Sequence, residues 1–121
     1  MKDLAQFANA DAALVRRGRY LDTRFLVEVG DDGYLVSVRD GVVQSVVPGP
    51  FVMQDWDFAL RAAADTWEKF WLAEPPPGYH DLIALMRYKR LRVEGNMLIF
   101  MRNLFYIKGL MASLRPAGAA K

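Results

Sequence analysis

Residues 91–114, LRVEGNMLIFMRNLFYIKGLMASL, restrict the fold more than any other stretch of the chain. Leu91 and Val93 read as a short strand, Gly95 permits a sharp turn, and Asn96 is a good helix N-cap. From Met97 to Leu114 the polar residues are Arg102, Asn103, Lys108 and Ser113, so the predicted helix is apolar on nearly every side. Such a helix must be buried all round, lie in a membrane, or line an apolar cavity. A membrane span is disfavoured because Arg102 sits mid-segment and Lys108 follows; each charge at bilayer depth costs roughly 2.5–3.5 kcal/mol. The expectation is a sheet over which this helix closes, with room for an apolar ligand.

A chain of 121 residues is read as one domain, 1–121, with residues 116–121 frayed. Absence of cysteine excludes a disulfide framework or a thiolate metal site and fits a reducing, cytoplasmic setting. The start, MKDLAQFANADAALVRRGR, carries Asp3 and Asp11 and has no continuous apolar run of the kind a leader needs. A net charge of +2 demands no nucleic-acid partner.

Residues 2–17 show helical spacing of Leu4, Phe7, Ala8, Leu14 and Val15, with Gly18 as the stop. From Tyr20 the period changes to two. Phe25, Val27 and Val29 alternate with Arg24, Leu26 and Glu28, and after the turn 30–33 so do Tyr34, Val36 and Val38. Asp40-Gly41 suits a two-residue type I′ hairpin, which needs positive φ at both positions, and Val42–Val47 returns. These strands predict an antiparallel meander. A fourth strand is predicted over 51–62, with Trp56, Phe58 and Leu60 on one face. Asp65 and Glu68 resemble a capping box opening a helix striped by Trp67, Phe70 and Trp71, which the run Pro75-Pro76-Pro77 ends. Another short helix is expected over 79–88, with Leu82, Leu85 and Met86 inward.

The runs FLVEV and YLVSVRDGVV, the passage DWDFALRAAADTWEKF, and LMRYKRLRVEGN before the apolar helix resemble the sterol carrier protein-2 domain over residues 20–114. In that family an aspartate lies in the fourth strand, matched here by Asp55 or Asp57, and a glycine precedes the last strand where this chain has Lys89 or Arg90. The resemblance implies an α+β fold: a five-stranded, mostly antiparallel sheet, helices packed on one face, and an apolar tunnel. It also implies non-catalytic binding of sterols, acyl chains or other lipids, without a cofactor.

The residues expected to bind ligand are Phe58, Trp67, Phe70, Leu82, Met86, Met97, Phe100, Met101, Leu104, Phe105, Leu110 and Met111. Methionine suits such a wall because it adapts to varied apolar shapes. The same residues would equally serve as plain core or as a dimer face. Three tryptophans within a short span could form a membrane-dipping edge, with Trp67 as core and Trp71 most exposed. Arg87, Lys89, Arg90 and Arg92 could meet anionic headgroups but read more simply as a solvated junction. Expected partners are therefore an apolar small molecule or lipid, with transient membrane contact at most and no nucleic acid; the protein would be a monomer or homodimer. Two other classes stay open: an interaction module assisting a lipid- or quinone-related enzyme, and a small enzyme using His80 or the Asp55–Asp57 pair. Adjacent helical side chains point apart, which weakens a His80–Asp81 dyad.

Overall fold

A computed structural model describes residues 1, 3–51 and 54–116. Residues 117–121 of the expected tail, and Val52 and Met53 of the expected fourth strand, lie outside them. The elements in order are α1 (Leu4–Asn9), α2 (Ala12–Arg17), β1 (Asp22–Val29), β2 (Asp32–Arg39), β3 (Val42–Pro48), β4 (Phe58–Ala62), α3 (Ala64–Phe70), α4 (Leu82–Arg87), β5 (Leu91–Gly95), α5 (Met97–Arg102) and α6 (Leu104–Ala112). The sheet is five-stranded in the order β3-β2-β1-β4-β5. The fold is thus α+β and mostly antiparallel: among the described residues only β1 and β4 run parallel.

The meander forms as its alternation predicts. Asp40 and Gly41 take φ of 53° and 80°, the values a type I′ turn requires. Phe25, Val27, Val36, Val38, Phe58, Leu60 and Leu91 point to the helices and join Leu4, Trp67, Leu85, Phe100, Ile107 and Leu110 in one core. Phe25 stacks on Phe58 at 4.9 Å across the parallel pair. Asn9 both donates to the Val43 carbonyl (2.9 Å) and accepts from its amide (2.8 Å), which pins α1 to the edge strand β3 and covers that part of the edge.

Four boundaries differ from expectation. The predicted helix over 2–17 is two helices, because the Asp11 carboxylate accepts from Ala13 and Leu14 and starts a new one. The fourth strand spans only 58–62, since it is limited by its pairing with Phe25–Val29 and Leu91–Gly95. Trp56 lies before that strand rather than beside Phe58; it packs edge-on to Phe51, which crosses the opposite face of the sheet next to Gly33. The capping box does not form: the cap position of α3 is Ala63, and Asp65 sits inside the first turn, where a carboxylate favours the positive end of the helix. The helix expected over 79–88 begins only at Leu82, capped by Asp81, whose carboxylate accepts from Ala84.

Candidate functional site

The C-terminal apolar segment is not one rod. Asn103, with φ −113° and ψ 24°, breaks it into α5 and α6. Its side-chain amide donates to the Ile99 carbonyl, a bond to the backbone that competes with regular helix. The N-terminal cap is as expected: the Asn96 side chain accepts from the Ile99 amide. Gly95, at φ 103°, carries the sharp turn, and a Cβ there would lie 2.6 Å from the Asp57 carbonyl oxygen.

The two halves have different surroundings. In α6, Tyr106, Ile107, Leu110 and Met111 are buried against the core. The Tyr106 hydroxyl donates to the Gly41 carbonyl at 2.9 Å, and burial pushes its pKa up to about 12. In α5, Phe100 is the one fully buried side chain; its ring meets Phe58 edge-on at 5.6 Å. Leu98 is 64% exposed, Met101 51%, and Phe105, at the start of α6, 68%. Leu98 and Met101 form an apolar stripe on α5 that faces solvent, and Phe105, past the break at Asn103, is exposed as well.

The expected ligand-binding residues therefore divide into groups. Phe58, Trp67, Phe70, Leu82, Phe100, Leu110 and Met111 come together in the core between sheet and helices. Met86 and Leu104 are half-buried at its margin. Met97, Met101 and Phe105 are on the outside. Leu98 was not among the expected residues, although its spacing from Met101 and Phe105 would have marked it as their neighbour. Trp71 stacks on Trp67 at 5.3 Å and donates to the Met111 carbonyl at 2.9 Å, so the tryptophans brace α6. Arg115 closes the same corner by donating to the carbonyls of Phe70 and His80, both at 2.7 Å.

Among the described residues, clefts of about 560, 400 and 420 Å3 open on the surface, and none of the three has a residue of α5 or α6 in its lining. The first is polar and holds Asp55, Trp56 and Asp57 beside Arg24 and Arg39. There the Asp57 carboxylate accepts from the Thr23 hydroxyl at 2.6 Å. The third is lined by Arg61, Lys89, Arg90 and Arg92 together with Glu28 and Asp31. His80 is exposed, and its backbone carbonyl is what Arg115 engages. Burial alone would raise the Asp81 carboxyl, but the Ala84 amide and Lys108, 3.5 Å away, outweigh it and hold it below its ordinary value. Among the described residues no group of three or more His, Asp or Glu converges to hold a metal, and no helix is long and apolar enough to cross a membrane.

An open sheet backed by apolar helices, with the final helices closing over one face, is an α+β architecture. The chain adopts an SCP-2-like fold. It superposes on a crystal structure of sterol carrier protein 2 with a TM-score of 0.75 at 12% identity, covering 97% of this chain and 92% of that one. A conserved hypothetical protein from Thermus thermophilus, described as possibly a sterol carrier protein, matches with a TM-score of 0.65 at 8% identity, over 99% and 89% of the two chains. The UbiJ-SCP2 ubiquinone synthesis protein matches with a TM-score of 0.57 at 24% identity, over 94% and 88%. No protein-family model matches the sequence, and no curated protein matches it.

Proposed function

We propose that this protein is a non-catalytic binder and carrier of an apolar ligand, a sterol, fatty acyl chain or other lipid, held between the sheet and the C-terminal helices. The observation that carries this reading is the uneven seating of α5. It commits Phe100 alone to full burial and leaves Leu98 and Met101 exposed, directly above a core made of Phe58, Phe25 and Leu60. A helix held mainly by Phe100, with Ile99 half-buried beside it, is released at a cost of a few kcal/mol, the order of a Phe→Ala change in a core. Lifting α5 would uncover the Phe58 ring and admit an apolar chain beside Leu104, Met86 and Leu82. Burying roughly 400 Å2 of ligand at about 25 cal/mol per Å2 supplies on the order of 10 kcal/mol gross. Release of α5, ordering and association oppose this, so affinity near micromolar is expected.

Native mass spectrometry of the purified protein should find a co-purified lipid, and Leu104→Trp, which adds bulk at the junction of α5 and α6, should reduce uptake of a pyrene-labelled fatty acid at least tenfold. Unchanged uptake by that variant, with the fold intact by circular dichroism, would remove the pocket from between sheet and helix.

A second reading has one specific support. The likeness to a ubiquinone synthesis protein spans nearly the whole chain at the highest identity among the three structures. In this reading the domain assists an enzyme acting on a lipid-like quinone, and the stripe on α5 meets that partner or a second copy. A tight dimer by gel filtration, with no lipid bound, would favour it.

A further inference from the structure

The two edges of the sheet are finished differently. β3 is covered where Asn9 takes both the amide and the carbonyl of Val43, and it ends on Pro48. β5 has no such cover: among the described residues, the main chain of Leu91–Gly95 makes no backbone hydrogen bond outside the sheet. Which groups are left follows from the ladder. The Gly30 amide donates to the Ala62 carbonyl, so Ala62 turns toward β1. Bonding alternates along a strand, and Ala59 and Arg61 therefore turn to β5, where their partners are Glu94 and Arg92. Leu91, Val93 and Gly95 are left with amides and carbonyls directed away from β4. An edge of this kind is a template for a further strand.

The order of side chains on this edge fits one strand in particular, its own copy. Arg92 and Glu94 flank Val93. Laid antiparallel to a second copy around Val93, β5 sets Arg92 of each chain opposite Glu94 of the other, Val93 opposite Val93, and Leu91 opposite Gly95. Within one chain Arg92 stands directly across from Arg61, and the two share Glu94. A second copy gives Arg92 an acid on its open side. An edge charged with one sign repels its own copy, whereas opposite signs placed either side of a central residue attract it. We propose that β5 is a self-association edge, on which two copies of the chain pair antiparallel with a two-fold axis at Val93 and join two five-stranded sheets into one of ten strands. Five residues from each copy make a small interface, in the weak class below about 1,200 Å2, so the dimer is reversible and fills as concentration rises. The inference is independent of the carrier reading, and it differs from a dimer through α5, because Leu98 and Met101 lie off this edge.

Sedimentation velocity at low salt, over rising protein concentration, tests it. The intact chain should pass from monomer to dimer. The two-fold axis makes each substitution act twice. Arg92→Glu sets Glu against Glu94, and Glu94→Arg sets Arg against Arg92, so each should weaken the dimer roughly tenfold. Mixed in equal amounts, these two variants restore opposite charges at both pairs and should form a heterodimer as tight as the parent dimer. Val93→Pro removes an outward amide that no bond to β4 uses, and should prevent pairing without any change of charge. Leu98→Glu, on the exposed side of α5, should dimerise like the parent. Deuterium exchange at the Val93 amide should slow as the parent is concentrated, and should not slow in Arg92→Glu. A monomer at every concentration, a dimer that neither the charge changes nor Val93→Pro weakens, a mixture no tighter than its components, or Val93 exchange that ignores concentration would overturn the proposal. So would loss of the dimer in Leu98→Glu, which would move the interface to α5.

Discussion

Lys89 holds a backbone position that suits glycine. Its φ is 58°, its amide donates to the Met86 carbonyl at 3.0 Å, and the Arg90 amide reaches back to the Leu85 carbonyl at 2.8 Å. That pair of bonds is the Schellman closure of α4, whose left-handed residue is usually glycine. Lys89 thus takes the left-handed position itself, where the sequence reading placed a departure from the sterol carrier protein-2 pattern. Lys89→Gly should raise stability by about 0.5–1 kcal/mol in urea unfolding, the relief of the left-handed penalty less the added freedom of the unfolded chain. Tyr106 is the opposite case, a residue whose buried hydroxyl the sequence did not advertise. Tyr106→Phe would strand the Gly41 carbonyl and should cost about 1–2 kcal/mol. The sign of the pH effect follows from its raised pKa. Below pH 10 the phenol is neutral in folded and unfolded chains alike. Between 10.0 and about 12 the unfolded chain ionises first, so stability falls as pH rises, and Tyr106→Phe should flatten that fall.

At the scale of elements, the break at Asn103 separates a seated helix from a lightly held one. Hydrogen exchange should find the amides of Phe100 and Met101 in α5 much less protected than those of Leu110 and Met111 in α6, because local opening follows the number of buried contacts. Equal protection in both helices would mean that α5 does not open on its own. The apolar count of residues 97–114 was legible in the sequence; its division was not. A helix with few polar residues reads as buried all round, but Arg102-Asn103 marks the break between α5 and the seated α6, and Leu98, Met101 and Phe105 face water. The N-terminal helix pair follows the same rule: Asp11 offered a cap inside an otherwise helical pattern, and the cap won.

Across the whole molecule, the far face of the sheet is held by charge and by a crossing loop. Arg61 on β4 bridges Glu28 on β1 and Glu94 on β5, tying three strands together. These side chains are partly exposed, so Arg61→Met should cost only about 1 kcal/mol in a urea titration. The connection from β3 to β4 passes over this face with Phe51 beside Gly33, and Leu26 and Leu35 are buried there, apart from the helix-side core. Long-range pairing decides this arrangement: Phe25–Val29 align with 58–62 in parallel, a choice that period-two alternation cannot express.

Short-range chemistry was enough to set the meander, its type I′ hairpin, the Gly95-Asn96 turn into a helix, and the oily character of the final segment, because each of these rests on neighbours a few residues apart. Long-range packing settled which strand β4 joins, which side of the sheet Trp56 covers, and which apolar residues of α5 and α6 stay in water. Those depend on what lies across a space of several ångströms from distant parts of the chain, and the same leucine or methionine serves in a core or on a surface with equal local propensity.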